Sequence, residues 1–431
     1  MTHESVIRAW ARTGTIDGLL KAEWWAMCAL SLETDRSNGN AAPVAISSFY
    51  PIFEGWLQCT DGKDQVSERI KEWIIKLKEI SESRGKANKE IMPNSQVYGA
   101  AVLALRLSVL NSIVADERVL KTEEGEIFEA LDSHSGNSGI ETADKCHELC
   151  KELCALVRKG ILPETKELDL SSFYHTIGAY RSAIPKRNKS GKEESSREMV
   201  DHVNKKVNEL VALVDEVVLR QIESDKPSDN SSPFQSYSLR VYAEAISLMR
   251  LLHTMHGKDA EMRRASANAL LPRVEQILHT CNLLSRIPGI DAAVPGSEGM
   301  SPTPHYLHYL LPTDEELTAH RIEEIFIEVL RTCSSISNSH ETLQGEAIRI
   351  AMNIFNMIQN IPSDVNIPST DHTAIYIAIM KCVRSIVSSS GERTPILTRV
   401  YKGAIRDPNC NDKKCAKFLI EKRQSETVSK E

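Results

Sequence analysis

Apolar side chains recur three and four residues apart through most of the chain, the spacing of one face of an α-helix rather than the alternation of a strand. Residues 66–83 are the cleanest instance: Ile70, Trp73, Ile74, Leu77 and Ile80 share a face, and Glu and Lys alternate on the other. A short helix at 4–12 precedes 16–32, where Leu19, Leu20, Trp24, Met27 and Leu30 keep the same spacing, and a short apolar segment spans 46–57. In 97–115 the apolar character runs around nearly the whole circumference, with Tyr98, Val102, Leu105, Val109 and Ile113 in one row. That pattern predicts a helix at the centre of a packed lobe. Further helices are expected over 123–131, 142–158 and 164–183. Met199, Val203, Val207, Leu210, Val214 and Val217 then step by four, four, three, four and three, which predicts one long helix to residue 222. Helices over 235–255, 259–286, 314–333, 341–361 and 372–388 follow, the third of these opened by a Thr313/Glu316 capping box.

The breaks between these segments are polar, Gly-rich or Pro-rich: 37–43, 85–93, 133–139, 184–197, 224–233 and 288–304. No alternation bounded by turns reaches useful length, and no fixed-period repeat is present, so the expectation is an all-α, two-lobed protein of some fifteen helices. The division expected is an N-terminal helical lobe at 1–183, a basic inter-lobe segment at 184–197, a C-terminal helical lobe at 198–390 and a basic, weakly apolar extension at 391–431. A length of 431 residues fits two or three domains better than one core.

Charge changes the picture more than composition does. The chain carries a net −7, yet Arg181, Lys186, Arg187, Lys189, Lys192 and Arg197 face only Glu193 and Glu194 around the central break. A second island, 393–423, sets nine Lys and Arg against Asp407, Asp412 and Glu421. Aromatics make up 5% of the chain, too few for extensive base-stacking platforms. The first residues lack a basic-then-apolar leader pattern, and ten cysteines without a regular framework fit a reducing compartment. An intracellular, cytoplasmic protein that is not secreted and enters no membrane is therefore expected. The one stretch of membrane length, 97–115, is read as a core helix because Arg106, Ser108, Asn111 and Ser112 interrupt it.

Candidate chemistry is sparse. Cys146, Cys150 and Cys154 recur every fourth residue, which places the outer thiols about 12 Å apart along a helix. They cannot share one ion; a buried row of small apolar side chains explains them, and two of them with a remote ligand is the alternative. His253 with His256, and His305 with His308, are spaced for adjacent helical turns but lack an accompanying carboxylate or Cys signature. Ser190-Gly191-Lys192-Glu193 lacks the remainder of a phosphate-binding loop, and no Gly-x-Ser-x-Gly elbow exists. No enzyme activity, metal or cofactor is expected. Arg106, alone among the apolar residues of 97–115, must reach water, find a carboxylate or meet a phosphate. The preceding helix also brings Tyr174, His175, Tyr180 and Arg181, residue types that stack on bases or hold phosphates, to the edge of the basic stretch.

In size, helical content and placement of charge, the whole chain resembles the nucleoproteins of negative-strand RNA viruses, the plant-infecting members above all. The resemblance lies at the level of architecture and not in a signature motif. It implies sequence-nonspecific binding of single-stranded RNA between two lobes, with Arg106, Arg181, Lys186, Arg187, Lys189, Lys192 and Arg197 on the phosphates. It also implies homo-oligomers joined through terminal segments into a helical nucleocapsid, in the virion and with other viral proteins as partners. The alternative is an intracellular helical scaffold or adaptor, in which the basic stretch serves as a linker or localisation signal.

Overall fold

A computed structural model describes residues 3–34, 44–59, 65–83, 91–122, 135–159, 170–184, 194–224, 233–255, 259–285, 322–336, 341–359, 372–387 and 389–428. Among them are fifteen α-helices, one short 3-10 turn and no strand, so the fold is all-α. The chain forms two compact units.

The first unit contains α1 (His3–Ala11), α2 (Ile16–Thr34), the 3-10 turn Ile46–Phe49, α3 (Tyr50–Gln58), α4 (Val66–Ser83), α5 (Ser95–Thr122), α6 (Ser135–Arg158) and α7 (Ser171–Ala183). Residues Asn208–Val214, in the middle of α8 (Glu194–Ser224), belong to it as well. Its centre is α5, which packs against α3, α4, α6 and α7. Tyr98, Val102, Leu105 and Val109 are all buried, as a helix apolar on every side requires. On α4 the buried residues are Val66, Ile70, Trp73, Ile74 and Leu77, the row legible in the sequence.

Two features of this unit depart from the sequence pattern. On α2 the buried face is Leu19, Ala22, Ala26, Ala29 and Leu30, while Leu20, Trp24 and Met27 remain exposed. Alanines let α1 and α3 approach closely, and Glu23 is drawn inward because its carboxylate accepts a 2.7 Å hydrogen bond from Trp56 Nε1. Residues 135–139, expected as part of a flexible break, form the first turns of α6, with Gly139 buried.

The second unit contains the remainder of α8, α9 (Pro233–Met255), α10 (Ala260–Ser285), α11 (Ile322–Ser335), α12 (Glu341–Gln359), α13 (Thr373–Ile386), α14 (Ser390–Arg406) and α15 (Asp412–Val428). Here α11 packs on α9, α10, α12 and α13, and α13 in turn packs on α12, α14 and α15. Asp215 of α8 is buried where it accepts hydrogen bonds from Tyr242 Oη at 2.7 Å and Gln276 Nε2 at 3.1 Å, with Arg273 Nη1 at 3.2 Å. Burial nevertheless pushes its carboxyl above the ordinary range, against the Tyr242 hydrogen bond and the Arg273 charge.

The basic, weakly apolar segment at 393–423 is helical and joins the second unit. Leu397, Val400 and Ala404 give α14 a narrow buried seam, Cys415 is buried on α15, and both helices pack on α13. Charged residues account for the difference: they surround the few apolar side chains, so the segment's overall hydropathy is low although its buried seam is continuous. Among the described residues no helix is long and apolar enough to cross a membrane.

Candidate nucleic-acid interface

The candidate site in the first unit is built on α7, which packs between α5 and α6. Ten of its thirteen residues are buried. Tyr180 Oη donates to Asp144 Oδ1 of α6 at 2.6 Å, and Cys150 Sγ lies 3.2 Å from Thr176 Oγ1. Thr176 Oγ1 also donates back to the Ser172 carbonyl at 2.8 Å. Burial pushes the Cys150 thiol up to about 12, and it raises Cys146 and Tyr180 as well. These groups stay protonated and neutral at physiological pH. They fix α7 rather than offer chemistry.

Tyr174, Arg181 and Ser182 are the residues of α7 that reach the surface. Residues seven apart on a helix differ by only about 20° in direction, so Tyr174 and Arg181 share one exposed line. Arg106 of α5 comes to the same place. Its guanidinium carbon lies 5.5 Å from the centroid of the Tyr174 ring, within cation–π range. Its Nη1 lies 3.0 Å from Nδ1 of the buried His175. Because arginine is always a donor, that contact assigns Nδ1 as the acceptor and leaves the proton of the neutral ring on Nε2. The Tyr174 and His175 rings are 5.3 Å apart, edge to face.

Gly178 makes this placement possible. A Cβ there would lie 2.5 Å from Arg106 Cζ and 2.8 Å from both Nε and Nη2, so the guanidinium lies directly on the helix backbone. Among the described residues no carboxylate comes within ion-pair distance of Arg106, and its buried Nε has no hydrogen-bond partner. Among the described residues the site therefore carries a positive charge without a carboxylate partner, pre-oriented over an aromatic ring at the edge of solvent. Such an arrangement favours a phosphate.

The chain matches no protein-family model and no curated protein.

Arg106 lies against Tyr174 in the first unit, and Arg181 follows Tyr174 on the same line of α7. Arg197 lies in the second unit, exposed near the start of α8, with Nη2 at 3.1 Å from Met262 Sδ. Lys186, Arg187, Lys189 and Lys192 lie outside the described residues, as do His256, His305 and His308. Tyr180 is fully buried behind its bond to Asp144, so it is not a stacking platform. His253 is buried with Nδ1 at 3.2 Å from Ser266 Oγ, a satisfied core histidine. Cys146, Cys150 and Cys154 line the buried face of α6, and among the described residues no group of three or more His, Cys, Asp or Glu could hold a metal. Gly178 is the participant that sequence reasoning missed. Its only signal is a glycine placed four residues after Tyr174 inside a helix, where glycine costs about 1 kcal/mol relative to alanine.

Proposed function

We propose that this protein binds single-stranded RNA without sequence preference and coats it as an oligomer, in the manner of a viral nucleoprotein. The observation that carries the reading is the Arg106 guanidinium, which lies over Tyr174 with no carboxylate partner among the described residues. A phosphodiester supplies the counter-charge, and the exposed Arg181, about two turns beyond Tyr174 on the same line of α7, suits the next phosphate. The cationic run from Lys186 to Lys192 continues the same polarity in sequence. Contacts of this kind give affinity without reading bases. Each is weak alone, and sharing one strand among neighbouring protomers makes the assembly tight.

The exposed row Leu20, Trp24 and Met27 on α2 supports the second reading, a helical scaffold that binds another protein. One experiment separates the two. Overexpressed protein purified at low salt should carry host nucleic acid, elute far above its 48.1 kDa mass, and shrink toward a monomer after high salt with ribonuclease. A protein free of nucleic acid, whose size ribonuclease does not change, overturns the RNA reading in favour of the scaffold.

A further inference from the structure

Between α12 and α14 the second unit holds an open cavity of about 610 Å³, within the ordinary range for small-ligand sites. We propose that this cleft binds a phosphate ester of nucleotide size, either a free nucleotide or one nucleotide of a strand. The proposal does not depend on the Arg106 surface, which lies in the other unit.

Its charge is one-sided. Arg399, Lys402 and Arg406 all line the cleft, and no Asp or Glu does. Spaced by three and four residues, they project from the same face of α14. All three are exposed, and among the described residues neither Lys402 nor Arg406 has an ion-pair partner. The nearest carboxylate in sequence, Asp407, does not line the cleft and is engaged elsewhere. Its Oδ2 accepts from Tyr376 Oη at 2.9 Å and lies 2.8 Å from His372 Nδ1, while Oδ1 accepts from the Asn409 amide at 2.9 Å.

The floor and wall are fixed before any ligand arrives. Gly403 lets α14 close on α12: a Cβ at that position would lie 2.6 Å from the Phe355 ring. Arg399 is steered by two α12 side chains, its guanidinium 5.7 Å from the Phe355 centroid and its Nη2 donating to Asn356 Oδ1 at 3.3 Å. Gln359, on the same wall, donates to Tyr376 Oη at 2.5 Å and so is tied to the Asp407 network. A preset arginine fork with two further cations suits a phosphate. The volume left beyond it, with the amide of Asn356 and the hydroxyl of Thr398 on its walls, suits the polar edge of a sugar and base.

The test uses the full chain, freed of nucleic acid, with three probes: UMP, inorganic phosphate and a fluorescein-labelled oligouridylate of about 12 nucleotides. UMP is expected to bind at least roughly tenfold more tightly than inorganic phosphate, because two parts of the ligand are held rather than one. Arg399→Glu/Lys402→Glu should weaken UMP by roughly tenfold or more, as should Thr398→Glu, which places a carboxylate in the cleft without removing a cation. These side chains are exposed, and an unchanged circular dichroism melting curve verifies that each variant is folded. A parallel loss for the oligouridylate identifies the occupant as a strand nucleotide; loss for UMP alone identifies a free nucleotide. The cleft proposal is overturned if UMP does not bind, if phosphate binds equally well, or if both variants bind UMP like the parent chain. Oligouridylate binding that only Arg106 and Arg181 variants weaken, together with UMP binding that is absent or unchanged in both cleft variants, would overturn the cleft while leaving the RNA reading intact. UMP binding without oligouridylate binding does the reverse.

Discussion

Replacing Gly178 by alanine tests the interface with the smallest possible change. The new Cβ would lie 2.5 Å from Arg106 Cζ, against an ordinary carbon contact of about 3.5 Å, so the guanidinium must retreat by about 1 Å. Its 5.5 Å distance to the Tyr174 centroid is already near the outer limit of about 6 Å for a cation–π contact. The 3.0 Å contact with His175 Nδ1 likewise breaks beyond about 3.2 Å. The displaced side chain is partly exposed and can rehydrate, so its own loss is held to about 1–2 kcal/mol. Alanine returns about 1 kcal/mol in helix propensity, which leaves the net stability within about 1 kcal/mol of the parent. On the proposed RNA-binding reading, affinity has no such offset. Losing one pre-oriented phosphate contact should cost roughly five- to tenfold, with the salt slope shallower by about 0.7. The assay is fluorescence anisotropy of a labelled oligouridylate over a salt series, with Arg106→Ala and the Gly178→Ala/Arg106→Ala double variant alongside. The double variant should bind like Arg106→Ala alone, since both changes remove one contact. Unchanged affinity in Gly178→Ala at matched stability would refute the claim that this guanidinium position serves binding.

Replacing Lys186, Arg187 and Lys189 together by Glu should weaken single-stranded RNA binding at least roughly tenfold and shallow the salt slope by about 0.7 per lost contact; equal affinity and slope reduce that stretch to a linker. Asp407→Ala leaves the part-buried donors of Tyr376 and His372 without their acceptor, for a loss of about 2–4 kcal/mol in the α13–α15 region, read as faster amide exchange there than in α4. Burial pushes the Asp407 carboxyl up, but hydrogen bonds from His372, the Asn409 amide and Tyr376 outweigh it and hold it below the ordinary range. Its stabilisation is therefore present above the unfolded value near 3.9 and lost as pH falls through the lower folded value, and Asp407→Asn should lack that part of the acid dependence of urea unfolding.

The helices that could be read in advance are those whose large apolar residues face the core, as on α4, α5 and α8, where Val203, Val207, Leu210 and Val214 are buried in sequence register. Reading failed where small residues make the contact. On α2 the alanines turn inward and Trp24 outward; on α14 a seam of Leu397, Val400 and Ala404 was hidden for another reason, being only three residues wide among Arg393, Arg399, Lys402 and Arg406. The start of α6 looked like a loop because Ser and Gly dominate its composition, although Gly139 is buried there. Arg106 was legible as an anomaly because a lone charge in an apolar helix demands an explanation. Its partners were not, since periodicity does not say which helix a given face meets. The α12–α14 cleft was hidden for the same reason: Asn356 and Gln359 acquire significance only once α14 lies beside them.

The distribution of one residue type between the units has a practical consequence. All five tryptophans, Trp10, Trp24, Trp25, Trp56 and Trp73, lie on α1 to α4, and the second unit has none. Light absorbed selectively by indole therefore reports on the first unit alone, from the buried Trp56 and Trp73 to Trp24, which is 60% exposed. Backbone ellipticity sums over every helix. Recorded together during denaturation, the two signals resolve whether the halves of this chain melt as one cooperative body or in succession. Quenching by a small solute adds a third, local signal, because Trp24 stands in water while Trp56 is shielded beside Glu23.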